Sequence, residues 1–382
     1  MSFNRIVRDF LFLLFAIYYL LNCLYTEGSV YSKICIVAII LISGIYFVKT
    51  LLQNEHKSIF YNAWTIMIIL NITGFIFSSD VSEGFTRDMF KNILSGMLPF
   101  YPFFYFAEKG LLKASHLTVF LLLMVPVIII LFITNQSTFV YQFDVDESEV
   151  VNNISYSFAG LIPFVFLIRK RKFLSVGLIV IITLFIIQGA KRGAIFAGLI
   201  GLIMYFYYQM ITIEKDNRIQ GFLTASIILI GLSGFVYNSM AGNDFVKERM
   251  TSMLEGDSSE RNIIYTTILD KWYSSDTILK MIFGYGFASS IWIAGIYAHN
   301  DWLEMLSNFG LLGIFVYLSL FYAAVRCCLK REWSIDKRIL MMTITLIWFF
   351  ISMVSMAYTD QGFFMQAILL GYITGSNTQN LE

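Results

Sequence analysis

Charged side chains are scarce in this sequence, 14% of 382 residues against 58% hydrophobic, and the mean hydropathy is +0.71. A soluble domain carries about a quarter of its residues charged, so that class is excluded and a polytopic membrane protein is implied. The formal net charge is only +1, and the basic residues sit in short clusters between apolar runs, which excludes a nucleic-acid partner. Cysteine is rare: Cys23, Cys35, Cys327 and Cys328 show neither metal-ligand nor disulfide-framework spacing, so thiol chemistry is not expected and they read as small apolar residues. No His/Cys cluster with ligand spacing occurs, and no metal or other cofactor is called for.

What the chain has in quantity is long apolar runs. Arg5 and Arg8 precede one at residues 10–24. No small-residue cleavage site follows, and Asn22 spoils a lipobox before Cys23, so an uncleaved first span is expected. A span needs roughly 20 mostly apolar residues, and about twelve segments qualify. They centre near Ile17, Ile40, Ile68, Leu98, Leu122, Pro163, Ile181, Leu202, Ile228, Val316, Ile347 and Leu369. Pro99 and Pro102 should kink the fourth, and Pro126 and Pro163 the fifth and sixth. The basic residues of short loops, above all Arg169-Lys170-Arg171-Lys172 and the group Arg326, Lys330, Arg331, Lys337 and Arg338, put both termini in the cytoplasm. The expected class is therefore all-α, with about twelve transmembrane helices and one long extracytoplasmic loop.

That loop occupies residues 238–302, between an N-terminal bundle (1–237) and C-terminal transmembrane helices (303–382). A second outer segment, around residues 135–153, holds Asp144, Asp146, Glu147 and Glu149. Paired carboxylates suggest a cation site, but an acidic run outside a membrane is more often a solvated loop. Ionisable residues are almost absent from the spans, whereas transporters keep them at mid-membrane to bind or relay ions. Chemistry or binding at the outer surface is favoured instead.

Three places on that surface suggest chemistry. Lys191-Arg192, between Gly189 and Gly193, is either a snorkelling pair or a phosphate site whose glycines let a large anion approach the backbone. Asp257 and Glu260 resemble a capping box opening a helix through Trp272, with Ile264, Ile268 and Trp272 on one face. Arg261 then falls in the first helical turn, where a cation is disfavoured unless an anion binds nearby. After Gly284-Tyr285-Gly286, an apolar hairpin-like stretch at 287–297 leads to His299-Asn300-Asp301-Trp302. His299 should sit at or just before the N-terminus of a long helix. The dipole there favours a neutral ring, as a general base requires, although a hydrogen-bonding anchor is the commoner use of such a His.

Taken together, Lys191-Arg192-Gly193, Arg261, Trp272, Gly284-x-Gly286, His299-Asn300 and Gly310-x-x-Gly313 resemble the bacterial O-antigen polymerase and O-antigen ligase superfamily across residues 188–317. That resemblance implies a glycosyltransferase of the lipid-linked C type on the outer face of the bacterial cytoplasmic membrane. Its substrates would be an undecaprenyl-diphosphate-linked glycan donor and an acceptor sugar, with a flippase and a chain-length regulator as further partners beside membrane lipid. Carried over by position, Arg192 and Arg261, with Lys191, would bind the donor diphosphate and His299 would activate the acceptor hydroxyl. Asn300, Gly284, Gly286 and Trp272 would support them. Ala190-Lys191 departs from the small hydroxyl residues many members carry before Arg-Gly. Polymerisation of repeat units for O-antigen or capsule is the leading expectation. Transfer to lipid A core by a ligase is the main alternative, and a non-enzymatic transporter or lipid flippase the second.

Overall fold

The computed structural model describes residues 3–25, 28–53, 57–78, 82–143, 150–169, 171–212 and 261–376, with isolated positions between 231 and 251. The expected span near Ile228, the acidic residues 144–149, the Asp257–Glu260 cap and the first part of the long loop lie outside the described residues. Among the described residues every regular element is helical. Helices α1 (Phe3–Leu24), α2 (Val30–Leu51) and α3 (Ile59–Ile76) are followed by α4 (Gly84–Met97), α5 (Phe100–Glu108) and α6 (Ala114–Phe143). Next come α7 (Ser155–Val165), α8 (Lys172–Gln188) and α9 (Arg192–Thr212). After the gap stand α10 (Arg261–Tyr273), α11 (Ile278–Phe283), α12 (Ser289–Ala294), α13 (Asp301–Leu329) and α14 (Ile335–Val354), then a 3-10 turn (Gln361–Phe363) and α15 (Phe364–Gly375).

Among the described residues seven helices (α1, α2, α3, α6, α9, α13 and α14) are long and apolar enough to cross a membrane, an architecture consistent with a polytopic membrane protein. The segment expected as a fourth span is two helices, α4 and α5, separated at Leu98-Pro99. Leu98 and Pro99 both keep right-handed helical angles, but a proline has no N–H to continue the ladder. Pro126 and Pro163 lie inside α6 and α7.

The chain divides into two compact units. Residues 1–37 and 112–257 form the first. In it α1 packs on α6 through Phe12 and Phe120, 4.7 Å between ring centres, and α7 packs on α8 and α9. Ser175 and Tyr205 share a 2.6 Å hydrogen bond between α8 and α9.

Residues 38–111 and 258–382 form the second unit. Lipid tails are as apolar as leucine, so helices in a membrane associate through close packing and interhelical hydrogen bonds. Both devices are present. Gly371 lets α15 come so close to α5 that a Cβ there would stand 2.5 Å from the Phe100 carbonyl, and Gly375 repeats the approach one turn on against Phe104. Trp64 stacks on Phe363 at 5.8 Å and donates to the Met97 carbonyl at 3.3 Å, while Tyr101 donates to Thr65 at 3.0 Å. Such interhelical bonds contribute roughly 0.6–2 kcal/mol each.

Candidate functional site

The chain 261–361 builds the candidate site of the second unit. Its first component is α10, whose buried Ile268 lies on the face expected for it; the helix packs on α12 and α13. Arg261 and Tyr265 are one turn apart on α10 and so share a face. The Tyr265 hydroxyl donates to the His299 carbonyl at 3.3 Å, and the Arg261 guanidinium donates to the Val354 carbonyl at the end of α14.

Asn300 is the N-cap of α13. Its side-chain oxygen accepts from the backbone N–H groups of Trp302 and Leu303 at 2.9 and 3.1 Å, satisfying donors that a helix start leaves open. Its amide nitrogen donates to the Met353 carbonyl at 2.9 Å. The last carbonyls of α14 therefore receive Arg261 and Asn300 side by side, and His299 stands between Tyr265 and that cap. His299 has φ of +51°, a left-handed conformation that costs a non-glycine residue about 1–2 kcal/mol. Its backbone is fixed on both sides: Ala298 N–H donates to Glu304 Oε2 at 3.1 Å, and Asn300 is held as described.

The helix that follows is not the long one expected. Gly310 has φ of +61° and ψ of −148°, which breaks α13 into arms 301–309 and 311–329. The break frees carbonyls of the first arm, and the Gly284-Tyr285-Gly286 turn takes them: Tyr285 N–H donates to Ser307 at 2.7 Å and Gly286 N–H to Asn308 at 3.2 Å. Gly284 is at φ of +77°, and a Cβ there would stand 2.5 Å from the Asn308 carbonyl carbon. At Gly310 a Cβ would stand 2.5 Å from the Met281 carbonyl oxygen. Both glycines are demanded by this clasp. Trp272 completes it, its indole N–H donating to Met281 at 3.0 Å. The stretch expected as a hairpin contains α12 instead, closed by Gly295 in the left-handed region.

Beneath His299 the first arm buries two carboxyl groups completely, Asp301 and Glu304. Asp301 accepts from the Tyr317 hydroxyl at 2.6 Å and from the N–H groups of Ala357 and Tyr358 at 2.9 and 3.4 Å. Glu304 accepts from Ser290 at 2.8 Å and from Asn308 at 3.2 Å besides Ala298. Sequence reasoning passed over Glu304, Asn308 and Ser290, and the expectation that the spans are nearly free of ionisable groups does not extend to this arm. Two acids three residues apart in a first helical turn look like ordinary dipole complements; nothing local says that both are buried. Nearby Tyr297 donates to the Phe85 carbonyl at 3.3 Å. Burial first, and then the negative charges of Glu304 and Asp88, push its phenol above the usual value.

Lys191 and Arg192 belong to the first unit. Asn152 N–H donates to the Gly189 carbonyl at 2.9 Å, and a Cβ on Gly189 would fall on the Ser155 hydroxyl. Gly189 is therefore required by a close approach, and Ala190 follows at φ of +48°. The turn presents both cations, half-buried, at the start of α9. Among the described residues no group of His, Cys, Asp and Glu is arranged to hold a metal ion.

No protein-family model matches the chain, and no curated protein matches it.

Proposed function

We propose that the chain is a membrane glycosyltransferase that polymerises undecaprenyl-diphosphate-linked oligosaccharide repeat units of a surface polysaccharide, on the outer face of a bacterial cytoplasmic membrane. In this reading it crosses the membrane about twelve times, has both termini in the cytoplasm, and works in the extracytoplasmic loop 238–302. The observation that carries the proposal is that Arg261 and Asn300 donate to adjacent carbonyls at the end of α14, while Tyr265, one turn from Arg261, donates to the carbonyl of His299 beside Asn300. It joins a cation suited to phosphate oxygens to an imidazole on a strained turn.

The chemistry balances with those groups. The acceptor hydroxyl oxygen bonds to the anomeric carbon of the donor sugar, the bond from that carbon to the phosphate oxygen breaks, and the hydroxyl proton passes to His299. Charge accumulates on the departing diphosphate. A guanidinium carries five donors in a planar fork, so Arg261 can keep its bond to Val354 and still meet phosphate oxygens with the rest. Lys191 and Arg192 keep the diphosphate-binding role that the resemblance gives them, tested separately by Arg192→Ala. Asn300, Gly284, Gly286 and Trp272 act as supports. Asp301 and Glu304 are occupied by protein donors, which is how scaffold acids are used and not how a transporter holds acids for a moving ion.

The test is purified protein in lipid nanodiscs with a synthetic undecaprenyl-diphosphate repeat unit, its products read by mass spectrometry. A series of lipid-linked oligomers supports the polymerase. Product only when lipid A core is supplied makes the chain a ligase, and no glycosyl transfer under either condition overturns the proposal.

A further inference from the structure

Helix α11 is the least covered element among the described residues. None of its six residues is buried, and Ile278, Leu279 and Phe283 are 71%, 61% and 55% exposed. A water-facing helix of that composition would be costly. Where it lies says what covers it. The backbone of α11 abuts Gly310, with Met281 and Ile282 closest to that glycine. At Gly310 begins the arm 311–329, and the large apolar residues Leu311, Phe315, Leu318, Tyr322, Val325 and Leu329 are all exposed along it. Their spacing of four and three residues makes one continuous stripe, opposite the buried Gly313, Tyr317, Leu320, Ala324 and Cys327. On a helix apolar enough to cross a membrane, such a stripe is the lipid-facing side.

We propose that α11 is embedded in the membrane at the edge of the hydrocarbon, its apolar side continuing the lipid-facing stripe of α13. Bilayer lipid covers this surface. The depth follows from length: the arm 311–329 at 1.5 Å per residue spans about 28 Å, close to the hydrocarbon thickness, so Gly310 and the helix against it stand at the boundary. The rim has the matching chemistry. Lys280 and Lys271 lie 5.7 and 5.8 Å from the centre of the Tyr285 ring, and Trp292 meets that ring at 5.7 Å. Lysines and amphipathic aromatics at one level are what a headgroup layer selects.

Irregular backbone is tolerated at such depth only where its polar groups are paired with protein. The backbone leaving α11 meets that condition. Gly284 N–H returns to Lys280 at 2.8 Å, the Met281 carbonyl takes the Trp272 indole, and Tyr285 and Gly286 donate to the broken helix. The inference rests on the membrane-spanning reading and not on the proposed chemistry, so its test leaves enzyme activity aside.

Single cysteines at Leu279 and Phe283, in full-length protein lacking its four natural cysteines, are labelled with an environment-sensitive fluorophore and reconstituted with doxyl-labelled lipids. The expected result is blue emission, quenched more strongly by a doxyl group near the headgroup than by one near the chain end. Water-like emission, or blue emission that neither lipid quenches, overturns the proposal; the latter would mean that protein covers α11. In the unaltered protein, a lipid-borne photoreactive diazirine should mark residues 278–283 together with 311–322. Adducts on 311–322 but none on 278–283 would equally overturn it.

Discussion

Asp301 and Tyr317 stand sixteen residues apart, yet the phenol hydroxyl donates to the carboxyl Oδ2 at 2.6 Å. In an unbroken helix that separation would be about 24 Å along the axis, so the bond exists only because the chain turns back at Gly310. The indole of Trp348 donates to the same hydroxyl at 3.0 Å, tying the folded-back arm to α14. Tyr317→Phe should cost about 1–3 kcal/mol and Asp301→Ala somewhat more, since Asp301→Ala also strips the partner from the Ala357 and Tyr358 N–H groups. The double variant should fall short of the sum by about 1–3 kcal/mol in thermal unfolding of the purified protein. Simple additivity would contradict the bond.

The glycines of the clasp should rank by what their Cβ would meet. Gly284→Ala and Gly310→Ala combine a left-handed φ with a clash against backbone and should cost several kcal/mol, on the order of the largest single-site effects. Gly286 is also left-handed, at φ of +105°, but has nothing within 4 Å. Gly286→Ala should cost only about 1–2 kcal/mol. Equal melting temperatures for the three variants would show that the clasp is not close-packed.

His299 separates stability from chemistry. Its backbone is held left-handed at φ of +51°, which glycine adopts without strain, while glycine adds entropy to the unfolded chain. His299→Gly should therefore change stability by less than about 1 kcal/mol and yet lower glycosyl transfer by roughly 100-fold or more. Retained transfer would remove His299 from the base role. A large loss of stability would instead place the role of the ring in packing.

Much of the helical class was legible in the sequence, because long apolar runs with few charges leave a membrane chain little other choice. His299 at the entry to a helix was legible too, since the apolar run that follows it begins a span. The break at Gly310 was not. A glycine in an apolar helix usually marks close packing, and here the same Gly310-x-x-Gly313 spacing serves a chain reversal, with the Cβ of a residue at 313 falling 2.5 Å from the Met305 carbonyl. The burial of Glu304 was equally hidden, because its partners Ser290 and Ala298 come from and just after a stretch, 287–297, that reads as an apolar hairpin with no polar partner to offer.

Polymerisation in cells is read from surface glycan length in a strain lacking this gene and complemented with wild type, Arg261→Lys or Arg261→Ala. Arg261 binds Val354 with one arm of its guanidinium; a lysine there offers a point charge but no second arm for phosphate. Wild type should give a ladder, the deletion and Arg261→Ala a single repeat on its acceptor, and Arg261→Lys a short, weak ladder at normal protein levels in the membrane. An unchanged ladder in the deletion strain would contradict polymerisation by this protein.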